Sequence, residues 1–294
     1  MSTNKSPVWL ITGCSTGLGA ALCTLVAKSP NHRLIATARN PSSLTYLPSN
    51  SSDILTLALD VTSPSSISNV FSTAISHFGR IDYVVNNAGY GIFTEAEGTK
   101  EEEARSMFET NFWGSANVAL EAVRTFRDNN IGDGGMLVQV SSMLGRIASG
   151  GQTYYSASKF AIEGFIEAIS KELHPNWNVK ILIAEPGAIK STAFNINILA
   201  EREIHPAYSD SECPTNKTRQ WLAKPDLEEG FTPADEMART LFEAVEKQDL
   251  PLRLPLGQDS WQTIYKDVSE GVQALKQCRN LSEQPSKASG GAKQ

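Results

Sequence analysis

Nowhere does this 294-residue chain carry the roughly 20 consecutive apolar residues that a membrane-spanning helix needs. Its first residues, MSTNKSPVWL, lack the charged flank and long apolar run of an export signal, so a soluble, cytoplasmic protein is expected. Cysteine is scarce: Cys14, Cys23, Cys213 and Cys278 lie far apart, without Cys-x-x-Cys or Cys/His spacing. Neither a disulfide framework nor a metal site is indicated. There is no excess of basic charge either. The 26 Lys and Arg are scattered and outnumbered by 32 Asp and Glu, leaving a net charge of −6 and no footprint for nucleic acid. Only 4 histidines occur, and no serine sits in Gly-x-Ser-x-Gly, so a hydrolase triad has little support. Internal repeats are absent.

What the chain does have is a rhythm. Short apolar runs at 8–12, 33–38, 54–59, 81–86, 136–141 and 179–185 alternate with stretches of helical spacing. In SISNVFSTAISHFG, for example, Ile67, Val70, Phe71, Ala74, Ile75 and Phe78 recur every three or four residues. Nearly all-apolar strands are those buried on both faces, so the pattern predicts an α/β fold with a doubly wound parallel sheet flanked by helices. Residues 188–230 are long, polar and interrupted by prolines, which predicts a lid or binding insertion. A helix is expected from 232, and LPLRLPLG at 250–257 reads as a last strand at a sheet edge, where proline is tolerated. The expected organisation is a disordered 1–6, a single domain over 7–260, and a C-terminal extension over 261–294 that ends in disorder.

Chemistry-bearing residues cluster where the strands end. TGCSTGLG follows the first strand, and Gly13, Gly17 and Gly19 there allow a tight turn and close backbone approach to a pyrophosphate at a helix N-terminus. At the end of the second strand, IATARN offers Arg39, a permanent planar cation suited to a phosphate, where NAD-binding chains place an acid. NADP(H) is therefore favoured over NAD(H). VVNNAG and LVQVSS put Asn86, Asn87, Ser141 and Ser142 at the same kind of edge, where ligands bind in such sheets. Tyr155 and Lys159, in YYSASK, share one helix face, and an ammonium near a phenol favours its ionisation; Tyr154 points elsewhere.

Taken in order, these motifs resemble the short-chain dehydrogenase/reductase family. TGCSTGLG is similar to its TGxxxGxG; NNAG at 86–89, Asn111, Ser142, Tyr155 with Lys159, and Pro186-Gly187 fall in the family's order over about residues 7–260. The resemblance implies that Tyr155 is the proton donor, that Lys159 lowers its pKa and bonds the nicotinamide ribose, that Ser142 polarises the carbonyl, and that Asn111 holds a relay water. For the cofactor it implies Ser15, Leu18 and the glycines at the pyrophosphate and Arg39 at the 2′-phosphate. Asp60 and Val61 would then flank the adenine, Asn87 would follow the ribose, and Ile189 and Ser191 would meet the carboxamide. Many members carry threonine where this chain has Ser191, and Thr192 follows it, so either hydroxyl fits that role. The implied substrate is a small hydrophobic carbonyl or alcohol of the steroid, retinoid or secondary-metabolite kind. Tyr90, Phe93, Trp113, Met143, Leu144, Phe194 and Trp221 are candidates to line its pocket. A homodimer or homotetramer through helices near 104–127 and 155–173 is the implied assembly. Two other readings share this fold: an isomerase, dehydratase or epimerase, and a regulator that binds NADP(H) without turnover.

Overall fold

The computed structural model describes residues 6–190, 203–222, 224, 230–247 and 250–282. Strands β1 (Val8–Ile11), β2 (Arg33–Ala38), β3 (Ile54–Ala58), β4 (Tyr83–Asn86), β5 (Gly135–Val140) and β6 (Val179–Pro186) belong to one sheet. Its seven strands run in the order β3-β2-β1-β4-β5-β6-β9, all parallel, with β9 (Arg253–Leu256) on the edge. The order reverses between β1 and β4, which is where a doubly wound sheet opens a crevice at its C-terminal edge. A separate short pair, β7 (Ile189–Lys190) with β8 (Thr232–Pro233), lies just beyond β6.

Side chains alternate across the sheet with the period of two that a strand imposes. Trp9, Ile11, Leu34 and Val85 face one core, closed by Leu22 and Val26 of α1 (Gly17–Lys28) and by Leu241 and Val245 of α7 (Ala234–Lys247). Val8, Leu10, Ile35 and Val84 face the other, closed by α2 (Pro64–Phe78), α4 (Ser115–Asp128) and α5 (Thr153–Glu172). The central strands β1, β2, β4 and β5 are therefore buried on both faces, whereas β3, read from the sequence in the same way, lies on the edge and is only partly buried. Helix α2 starts as its sequence suggests, with Ser63 accepting a hydrogen bond from the Ser66 amide and Pro64 at the first position, and stops at the left-handed Gly79.

Three features differ from the sequence reading. The long helix expected over 104–127 is α3 (Glu101–Phe108) and α4 joined by a π-helical turn, Glu109–Gly114, which carries Asn111. The stretch 188–230 is not simply loop, since it holds β7 and α6 (Pro214–Leu222). The expected boundary at 260 falls inside α8 (Gln258–Ser282), a 25-residue helix that the sequence reading left as an extension. The disorder expected at 1–6 and at the chain end falls almost wholly outside the described residues. Among the described residues, no helix is long and apolar enough to cross a membrane, and no group of metal-ligating side chains is present.

Candidate active site

The glycine turn between β1 and α1 is shaped by backbone conformations that favour glycine. Gly13 and Gly17 sit at φ 72° and 60°. A Cβ on Gly19 would lie 2.4 Å from the Gly13 carbonyl oxygen, so the turn closes only without one. Thr12 and Asn87 lock it from opposite sides. The Thr12 hydroxyl accepts from the amides of Asn87 and Ala88, both at 2.9 Å, while the Asn87 side-chain amide donates to the carbonyls of Thr12 (2.9 Å) and Gly13 (3.2 Å). The Asn87 side-chain amide thus braces the turn, and Thr12, which carries no sequence motif, is its counterpart. At the mouth, Thr16 precedes α1 without a side-chain cap, and no acid occupies the first turn. The positive end of the helix is left available to an anion. Ser15 is exposed beside it, while Leu18 is buried in the core, so only its backbone is placed to serve the turn.

Arg39 and Asp60 flank this mouth, both exposed. Asp60 accepts from the Thr62 amide and hydroxyl, which hold its carboxyl below the usual range, and the Arg39 guanidinium adds to the effect. Val61 is buried against Gly114, where a Cβ would meet Val61 at 2.9 Å. At the far end, Gly187 donates to Leu256 and lies so close to Asp259 that a Cβ would fall 2.2 Å from its carboxylate. Asp259 also accepts from the Ala188 amide at 2.7 Å. Pro186 ends β6 and Ile189 opens β7, whereas Ser191, Thr192 and Phe194 lie outside the described residues.

Ser142, Tyr155 and Lys159 come together beneath the β5 edge. Tyr155 is half-buried, and burial pushes its phenol up while a hydrogen bond with Ser142 opposes the rise. Lys159 is buried, donates to the Val140 carbonyl at 3.2 Å, and has its ammonium 5.7 Å from the centre of the Tyr155 ring. Burial lowers its pKa to about 8 from 10.5, and the Glu163 carboxylate resists that fall. The hydrogen bond with Ser142 opposes the rise of the phenol, and the Lys159 ammonium stands close to the same ring. Gly91 borders the tyrosine, since a Cβ there would stand 3.3 Å from the ring. Tyr154 is exposed on another face of α5.

Asn111 is fully buried at the π turn, and its side chain is committed to protein. Its carbonyl oxygen accepts from the Tyr90 amide (3.0 Å), and its amide donates to the Tyr90 carbonyl (2.8 Å) and the Ser158 hydroxyl (3.1 Å). Ser158 donates in turn to the Tyr155 carbonyl at 2.7 Å, so Asn111 fastens the loop after β4 to the tyrosine's own helical turn.

Behind the array lies a charged cluster that no motif announces. Ser141 donates to Glu163 at 2.7 Å; Arg253 reaches Glu163 (3.2 Å), Glu185 (3.4 Å) and Glu167 (2.7 Å); Arg146 reaches Glu185 at 3.5 Å. Burial, with Glu163 close by, pushes the Glu185 carboxyl up to about 7. On the open side, Glu95 and Arg219 form a buried ion pair in which the Arg219 Nη2 donates to both carboxylate oxygens at 2.9 Å, with the guanidinium 5.7 Å from the Phe93 ring centre. Helix α6 is thereby tied to the loop after β4. Of the candidate lining residues, Phe93 and Leu144 are buried, Met143 is half-buried, and Tyr90 and Trp113 are exposed; the Trp221 side chain lies outside the described residues.

Known proteins share both this sequence and this shape. The short chain dehydrogenase family model matches residues 7–203. The oxidoreductase calM of Penicillium decumbens is 40% identical over 280 residues, spanning 93% of this chain and 91% of that protein. Among solved structures, a short-chain dehydrogenase from Streptomyces avermitilis superposes with a TM-score of 0.80 at 28% identity, covering 96% of this chain and 98% of that one. A short chain dehydrogenase from Burkholderia cenocepacia in complex with NADP shares the fold, with a TM-score of 0.68 at 21% identity over 96% of this chain and 99% of that one. With its parallel sheet, its glycine turn and the serine, tyrosine and lysine gathered at the sheet edge, the chain belongs to the short-chain dehydrogenase/reductase family of oxidoreductases.

Proposed function

We propose that the protein is an NADP(H)-dependent oxidoreductase that interconverts a carbonyl and a secondary alcohol on a small hydrophobic substrate. The observation that carries this reading is the convergence of Ser142, Tyr155 and Lys159 at the sheet edge, next to a glycine turn that leads into an uncapped helix N-terminus. The turn fits a dinucleotide: it closes tightly only because Gly13 and Gly19 carry no Cβ to strike Ala88, Asn87 or the Gly13 carbonyl, it leads into the uncapped start of α1, and Arg39 is exposed at the end of β2 to meet a 2′-phosphate. The NADP in the Burkholderia cenocepacia structure and the name oxidoreductase given to calM support the same cofactor class and reaction class.

Bound there, the nicotinamide supplies or accepts a hydride. Every other part falls to the protein. Ser142 holds the substrate oxygen by hydrogen bonding, as a fixed donor that stabilises charge developing on it. Tyr155 gives its phenolic proton to that oxygen in reduction and takes it back in oxidation. Lys159 keeps a positive charge beside the phenolate that forms, and it is buried so that water screens this charge little. Gly91 packs close to the tyrosine ring, where a Cβ would stand 3.3 Å from it.

The test is titration calorimetry of the purified protein with NADPH and NADH, followed by NADPH oxidation across a panel of hydrophobic ketones. Tighter binding of NADPH and turnover of ketones to alcohols are expected. Binding of neither nucleotide would remove the reading at its base, and a product of unchanged mass would mark an isomerase.

A further inference from the structure

Glu163 on α5 and Glu185 at the end of β6 are both buried, and they meet at one donor. Arg253 of β9 turns its Nε–H to both, 3.2 Å from Glu163 and 3.4 Å from Glu185. The other charged groups around Glu185 leave it short of positive charge. Arg146 stands 3.5 Å away and is partly exposed, Arg253 also serves Glu167 at 2.7 Å, and Lys159 donates to the Val140 carbonyl. Glu185 Oε2 is buried and meets no donor, a costly position for an ionised oxygen. The two carboxyls lie close enough for one to donate to the other. A single proton turns this like-charge contact into a hydrogen bond, and its hold on Glu185 to about pH 7 accords with that.

What the pair holds is the turn that carries Ser142. Glu163 Oε1 accepts from the hydroxyl of Ser141, the residue just before it, at 2.7 Å. Gly145 lies on that bond, since a Cβ there would collide with both the Glu163 carboxylate and the Ser141 hydroxyl. Ser142 closes the turn itself: its hydroxyl accepts from the Leu144 amide at 3.1 Å and its carbonyl from the Gly145 amide at 2.8 Å. Arg146, at the end of the same turn, reaches Glu185. Glu163 also belongs to the helix of Tyr155 and Lys159. One carboxyl pair thus spans the two elements whose spacing decides whether serine and tyrosine reach the same substrate oxygen.

We propose that Glu185 is a positioning residue, which shares one proton with Glu163 and so keeps the Ser142 turn seated on the helix of Tyr155. Its part in turnover rests on the catalytic reading of Ser142 and Tyr155. When the proton leaves, two anions crowd one guanidinium N–H. The turn, tied to Glu163 through Ser141 and to Glu185 through Arg146, is then pulled at both ends. The proton is held below about pH 7, so the seated turn belongs to the acid side. An unfolded carboxyl releases its proton near the ordinary 4.5, so this group's contribution to stability is full below 4.5 and declines until about 7.

Infrared spectra of the full chain at about pH 6 and about pH 8, beside those of Glu185→Gln, read the proton directly. Ordinary carboxyls are ionised at about pH 6, so the carbonyl band of a protonated acid should be present there, fade by about pH 8 and be missing from the variant. No band, or a band that survives in the variant, overturns the proposal whether or not the protein turns over a ketone. Hydrogen exchange over 142–147, corrected for the intrinsic effect of pH, reads the turn. Protection should fall by about 10-fold between the two pH values in the natural chain and hold level in Glu185→Gln, whose amide can donate to Glu163 at either pH. Equal falls in both proteins refute the positioning role. In kcat/KM, the natural chain should lose two protons on its alkaline limb and the variant only the one from Lys159. A one-proton limb in both cuts the link to catalysis, while a normal band without any turnover sinks the catalytic reading and upholds the pair.

Discussion

Glu163 follows Lys159 by one turn of α5, both side chains are buried, and the carboxylate holds up the pKa of an ammonium that burial pushes down. The charge on Lys159 is therefore present below about pH 8 and lost above it. Removing the carboxylate charge should move that loss to lower pH. Glu163→Gln, which retains an oxygen for Ser141, is expected to shift the alkaline limb of kcat/KM downward by about one unit or less. Glu185, Glu167, Arg146 and Arg253 share the cluster, and Arg253 freed of one carboxylate pushes in the same direction. An unmoved limb in a pH–rate profile would detach Glu163 from the reaction. For folding, the lysine shift has its own sign: between about 8 and 10.5 the unfolded chain holds the proton that the native one has released, so this group's contribution to stability rises across that window.

Tyr155→Phe is expected to lower turnover by roughly 10²–10⁴-fold while leaving nucleotide binding nearly intact, because only the proton donor is removed. Tyr154→Phe should be near neutral, given its exposure on another face of the helix. Steady-state rates beside calorimetric binding separate the two. Equal losses would mean that the roles had been assigned to the wrong phenol.

Arg39 is exposed at the end of β2, close enough to the Asp60 carboxylate to help hold it low. Arg39→Asp should weaken NADPH by at least 10-fold, since a carboxylate repels the 2′-phosphate, and should favour NADH through its ribose hydroxyls. The ratio of the two dissociation constants is the readout, and no change in it would point to another reader of the phosphate.

Arg219→Met would leave Glu95 buried without its guanidinium. Losing one partner of such a pair typically costs roughly 3–5 kcal/mol. Hydrogen exchange should rise in 214–222, and KM should increase more than kcat falls, because α6 is held to the loop after β4 by this contact. Adding Glu95→Gln should recover much of the loss; failure to do so would assign the effect to packing alone.

How legible the molecule was depends on how local each signal is. β2 spans the very residues of RLIATA, and Pro255 does lie in an edge strand, because apolar runs and proline act within a few residues. The glycine turn and the YYSASK face were legible for the same reason. The π turn was not, since one added residue per turn leaves an apolar stripe almost unchanged over two turns. Thr12, Glu163 and Arg253 were hidden because their partners lie 75, 22 and 90 residues away in sequence. Helix α8 escaped for a different reason: its apolar positions face solvent, so they carry no mark of the core that the reading was tracing.

The bond between Thr12 and Asn87 sets an order of events as well as a shape. The turn that shapes the cradle is locked by Asn87, which follows β4 and lies 75 positions later in the chain, so an early β1 and α1 lack those bonds. A nascent or partly unfolded chain therefore lacks the locked form of the turn until β4 has paired beside β1. Anything that binds the finished cradle pulls on that long-range pairing by mass action, and occupancy protects the middle of the sheet rather than one loop.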